Sequence, residues 1–247
     1  SMHAPRPIRD AAAPVERLRA ATSGDAALAA AVREIKRLQS RRFRGTYADL
    51  LHHPVHACAA AFFVEEMYGT GDYAARDAQF ARIAGAIERL FPAQLAETAA
   101  SLARLHALTE DLDTQKGHLW DRHPPDAGEV HRYVDAWRVL GRGEEREQQL
   151  AAVLALGGDL VRLTRKPGLR AMLTMMRGPA TAAGLGEIQH FLEKGFDTFA
   201  GLARKPRASE QFLHAVAERE GRLMLLLHDG DPVTCETELA RILGQAP

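Results

Sequence analysis

The 247-residue sequence predicts an all-α fold, a single multi-helix, bundle-like domain of roughly eight to ten helices. Three observations lead there. Apolar residues recur at three- and four-residue spacing over most of the chain. The segments so marked are bounded by residues that start and stop helices. No segment joins period-two alternation to β-branched enrichment between turn residues, so no sheet is expected.

Residues 1–21 hold Pro5, Pro7 and Pro14 without a continuous apolar face and are expected to form a flexible N-terminal arm ahead of a helical domain over 22–247. Asp25 can cap a helix marked by Leu28, Val32, Ile35 and Leu38, expected to end before the run Arg41-Arg42-Phe43-Arg44-Gly45. That basic run reads as a solvated edge. Thr46 offers a cap for a short turn through Leu50 and Leu51, and Pro54 suits the first position of a helix from Val55 to Tyr68. Gly69 and Gly71 close it.

Phe80, Ile83, Ile87, Leu90 and Phe91 mark the next face, which Pro92 interrupts. A helix on Leu95, Ala99, Leu102, Leu105, Leu108 and Leu112 is expected to give out in the polar stretch 113–123, before Pro124-Pro125. Val130, Val134, Trp137 and Leu140 define a short helix stopped by Gly141. The period resumes from Leu150 to Leu163, with Gly157-Gly158 as a weak point and Pro167-Gly168 as the end. Further helices are predicted over 169–176, 185–202, 211–227 and 233–243, the last opened by Asp231-Pro232.

Thirty-two basic and thirty-two acidic residues cancel, so no net field draws the protein to nucleic acid or an anionic membrane. No apolar run reaches the ~18 residues of a membrane span. A cytoplasmic setting is expected, and Cys58 and Cys235 form no CxxC or zinc spacing. Only Lys36, Lys116, Lys166, Lys194 and Lys205 are lysines; the arginine excess reads as coding bias rather than function.

Phe62-Phe63-Val64-Glu65-Glu66-Met67-Tyr68-Gly69, with Asp72-Tyr73 and the run from Arg76 to Ile83, resembles an uncharacterised bacterial family marked by an FFLEELYG-type motif. Val64 and Met67 stand where that motif has leucines. Thr46 to Leu51, Gln189, Phe191-Leu192-Glu193 and Gly195-Phe196 are similar to the same family, so the resemblance spans about residues 41–225. It implies a cytosolic helical protein of proteobacterial type and of unknown function. It supplies no catalytic residue or cofactor.

Walker, GxGxxG and GxSxG motifs are lacking. What remains is a set of ionisable residues placed on apolar helix faces, where each needs a partner. Glu66 follows Val55, Ala59 and Phe62 on one seam, with Glu65 turned about 100° away. An arginine (Arg44, Arg76 or Arg82) or Tyr47 is the expected partner of Glu66, in a structural role. Glu220 lies on the face of Leu213, Val216 and Leu227, and His106 on that of Leu95, Ala99 and Leu102. A buried polar or ligand-binding cluster of Glu66, His106, Glu220, Tyr47 and Arg76 is therefore expected, with no metal.

The alternative is a metal site of Glu66, His106, Glu187, His190 and Glu220, because Glu187 and His190 have the Glu-x-x-His spacing of di-iron bundles. Haem held by His106 or by one of His52, His53 and His56 is its variant. Glu187 and His190 read otherwise as a solvated first helical turn. Met172, Met175 and Met176, and Phe191, Phe196 and Phe199 around Gly195, read as packing. The leading reading is a module that binds a partner protein or a small apolar ligand without demonstrable catalysis. A metal- or haem-dependent enzyme is the rival, and a homodimer is the third class.

Overall fold

The computed structural model describes residues 25–67, 85–124 and 126–247. The expected arm at 1–21, Arg76, Arg82 and the C-terminal end of the Phe62 to Gly69 motif lie outside the described residues. Those described are helical, with no strand among them.

Helix α1 spans Ala26–Thr46, α2 Ala48–Leu51 and α3 Ala57–Phe62, the last running into a π-helical turn, Phe63–Met67. After a helical stretch at 85–90 come α4 (Ala93–Trp120), α5 (Glu129–Leu140) and α6 (Gly143–Leu163). The last four are α7 (Leu169–Ala182), α8 (Gly186–Leu202), α9 (Ala208–Asp229) and α10 (Pro232–Gly244). Asp25 and Asp231 cap α1 and α10 through the backbone amides of Leu28 and Thr234, at 3.0 and 3.1 Å.

Four boundaries differ from expectation. Helix α1 continues through the arginine run to Thr46, because Arg42 and Phe43 face inward and are buried. The chain at 54–56 is a turn, and α3 starts at Ala57, so Pro54 precedes regular helix and His56 is the cap residue. Helix α4 runs on to Trp120, since the polar residues Glu110, Asp113, Thr114 and Lys116 are interior. Helix α7 passes through Gly178-Pro179 to Ala182. The carbonyl that Pro179 leaves without its helical donor belongs to Met175, a residue 79% exposed, where that loss costs least.

Two apolar cores form. The larger gathers Phe43 and Tyr47, Phe62 and Phe63, Leu95 to Leu105, the inner face of α6, and Phe191, Phe199, Phe212 and Val216. The smaller gathers Ile35, Leu38, Trp120, Tyr133, Trp137, Leu223, Leu227, Leu239 and Ile242. Helices α1, α4 and α9 pass through both. Where they leave one core for the other they carry Arg42, then Glu110 to Lys116, then Glu220, so a polar layer separates the two.

The aromatic trio of α8 sits in the larger core, and a Cβ on Gly195 would meet Leu160 at 3.0 Å and Phe62 at 3.2 Å; packing explains that glycine. Gly45 is the tighter case. A Cβ there would stand 1.9 Å from the carbonyl oxygen of Ile242, so the crossing of α10 over α1 requires glycine.

Candidate functional site: a buried polar layer and an adjoining groove

Glu220 accepts two parallel hydrogen bonds from Arg42, Nη1 to Oε2 at 2.7 Å and Nη2 to Oε1 at 2.8 Å, and a third at Oε2 from the Tyr47 hydroxyl at 2.9 Å. Arg42 is 4% and Glu220 8% exposed. The bidentate fork suits arginine, whose planar guanidinium matches a carboxylate edge to edge. Burial works against the Arg42 charge, but Glu220 outweighs it and holds the guanidinium in its charged form. Glu220 and Tyr47 thus meet, although Tyr47 is an expected partner of Glu66, and the arginine comes from the run read as a solvated edge.

Glu66 is buried and Glu65 exposed, as the helical seam predicts. Among the partners of Glu66 are Lys194 Nζ at 3.1 Å and His190 Nε2 at 3.7 Å, both on α8. Of the expected partners, Arg76 and Arg82 lie outside the described residues, and the other two are engaged elsewhere. Arg44 turns to Ser40, and Tyr47 to Glu220. His106 is buried on the face predicted for it, while Glu187 and His190 are exposed. Glu66 and Glu220 each have their own cationic partner. The described residues hold no group of three or more His, Cys, Asp or Glu side chains that could bind a metal ion.

The layer continues into residues that the sequence reading passed over. Lys36 Nζ donates to Glu110 Oε1 at 2.6 Å and Asp113 Oδ2 at 3.0 Å. Gln39 donates to Asp113 Oδ1 at 2.6 Å, and the Tyr133 hydroxyl donates to Gln39 at 3.3 Å. Burial disfavours the charges of both Lys36 and Asp113, yet Asp113 and Glu110 hold the amine above its usual value, and Lys36, Lys116 and Arg146 hold the Asp113 carboxyl below its own. A carboxylate held down in this way, as Asp113 is, makes a poor general base.

Lys116 is 0% exposed. Its Nζ lies 3.8 Å from Asp113 Oδ1 and makes no hydrogen bond among the described residues. It stands 5.1 Å from the Tyr133 ring centre and 5.4 Å from that of Trp137, whose ring also receives the Arg146 guanidinium at 4.1 Å. Burial first, and the charges of Arg146, Arg42 and Lys36 after it, push the Lys116 amine well below the usual lysine value. A signal for these residues was present. In a chain that uses arginine almost throughout, three of the five lysines, Lys36, Lys116 and Lys194, engage inward carboxylates.

Beside the Arg42, Tyr47 and Glu220 cluster, the end of α1, α2, α9 and α10 enclose an open groove of about 630 Å³. Leu223, Leu226 and Ile242 give it apolar lining, and Arg219, Arg222 and Arg241 line it with guanidinium groups. Arg219 donates to both oxygens of Asp49, at 2.7 and 2.9 Å, and to the Thr46 carbonyl at 3.0 Å. Arg222 pairs with Glu218 at 2.5 Å and Arg241 with Glu238 at 3.0 Å, each on its own helix. Both cysteines are free, Cys58 exposed and Cys235 buried. No helix among the described residues is long and apolar enough to cross a membrane.

A family model described as a domain of unknown function (DUF8198) matches residues 18–234, and the chain belongs to that family. Comparison with curated proteins and with solved structures gives no match.

Proposed function

We propose that this member of the DUF8198 family is a small-ligand-binding module whose site is the groove between α1, α2, α9 and α10, and that its ligand joins an apolar body to an anionic head. The observation that carries this reading is the lining: three arginines beside Leu223, Leu226 and Ile242 around about 630 Å³, within the usual size of a ligand pocket. Arg222 and Arg241 are held by exposed pairs within their own helices, which contribute little and exchange readily for a ligand carboxylate or phosphate. The Arg42 and Glu220 fork behind the groove ties together α1 and α9, two of the helices that enclose it. The bacterial FFLEELYG-type relationship and the cytoplasmic setting belong to the same reading.

Calorimetric titration with dodecanoate, dodecyl phosphate and dodecanol tests it. The two anions are expected to bind saturably and the alcohol at least tenfold more weakly, with the Arg222→Ala/Arg241→Ala double variant losing the difference. Equal affinity for all three, or no saturable binding, removes the proposal.

A further inference from the structure

A second cavity lies inside the polar layer, lined by Gln39, Arg42, Trp137, Arg146, Gln149 and Glu220 among others. Its volume is about 30 Å³, enough for a single small ion and above the ~10–15 Å³ that one water needs. Lys116 stands close by, against the same Trp137 ring that carries Arg146. We propose that this cavity binds one small monovalent anion of about the size of chloride, and that the anion enters together with a proton on Lys116.

Every element packed against Lys116 shapes this balance. Helix α1 presents Lys36 and Arg42, α4 itself Asp113 with Glu110 beyond it, α5 Tyr133 with Trp137, and α6 Arg146. From α9 come Glu220, which lines the cavity, and His228, whose ring meets Trp137 at 5.3 Å. Glu110 and Asp113 are engaged by Lys36, and Glu220 by Arg42. Asp113 lies 3.8 Å from Lys116 and is shared with Lys36, while three other cations act against the Lys116 charge. A protonated Lys116 is repelled by those cations, and its ammonium has no hydrogen-bond acceptor among the described residues. An anion beside Arg42 and Arg146 reverses the sign of that local field and makes the proton favourable. The neutral amine with an empty cavity and the ammonium with an anion carry the same net charge, so the two uptakes are linked.

The experiment uses the full chain freed of halide by exchange into gluconate. Bromide is titrated calorimetrically at constant ionic strength, in two buffers of different ionisation enthalpy. Binding of one ion with uptake of about one proton is expected, with the dissociation constant rising about tenfold per pH unit where the free amine is neutral. Lys116→Met is expected to abolish the proton uptake and weaken bromide binding at least tenfold. Thermal melts identical in chloride and gluconate would mean that the cavity holds only water and would overturn the proposal, as would bromide binding with no proton uptake. Should Lys116→Met fail to fold, the proton count on the unmodified chain decides alone.

Discussion

Arg42 and Glu220 lie 178 residues apart in the chain and meet through two hydrogen bonds of 2.7 and 2.8 Å between helices α1 and α9. Breaking a buried pair strands the remaining charge, at roughly 3–5 kcal/mol, whereas replacing both partners by apolar residues is often neutral. Arg42→Met and Glu220→Leu are each expected to lower unfolding stability by that amount in urea titration, and the double variant to recover most of it. Additive losses in the double variant would contradict this.

Glu193 on α8 accepts hydrogen bonds from Arg177, at 3.1 Å to Nε, and from Gln189 and Arg170, each at 3.1 Å. The Arg177 bonds lead in pulling its carboxyl down to about 2, against a partial opposing effect of burial. The folded value is depressed, so the stabilisation is complete above about 4.5 and is lost as pH falls through about 2. Glu193→Gln should flatten the fall of melting temperature between those limits, measured by circular dichroism.

Lys116 gives a slope of the same sign in a higher pH window. Its amine is depressed in the folded chain, so between that value and the ordinary 10.5 the unfolded chain binds more protons and stability rises with pH. In chloride-free buffer, Lys116→Met is expected to remove this rise and to be at least as stable as the parent at neutral pH. Denaturant titrations across pH 7–10 read it directly.

Gly45→Ala puts a Cβ 1.9 Å from a backbone oxygen of Ile242, which cannot swing aside as a side-chain tip would. Overpacking of this kind costs about 1–3 kcal/mol. Faster amide exchange confined to α10 and the end of α1 is the expected signature. A variant as stable as the parent would refute the close crossing.

The apolar faces of the helices, the Asp231-Pro232 start and the inward turn of Glu66 and Glu220 were legible in the sequence because each depends on residues within a few positions. Arg42 was not, because its burial is decided by an acid on α9 that no local pattern reveals. The stretch from Asp113 onward reads as a helix end for the same reason. Polar residues look like the end of an apolar stripe until Lys36 and Gln39 arrive from another helix. That Lys194 and His190 stand against Glu66 is equally invisible locally, because both arrive from α8.

Apolar surfaces tolerate slippage, since one leucine replaces another at little cost when a helix slides by a turn. The charged stratum between the two cores permits no such sliding. Moving α1 by one turn would leave the Arg42 guanidinium against hydrocarbon and the Glu220 carboxylate unmatched, so this stratum sets the axial alignment of α1 and α9.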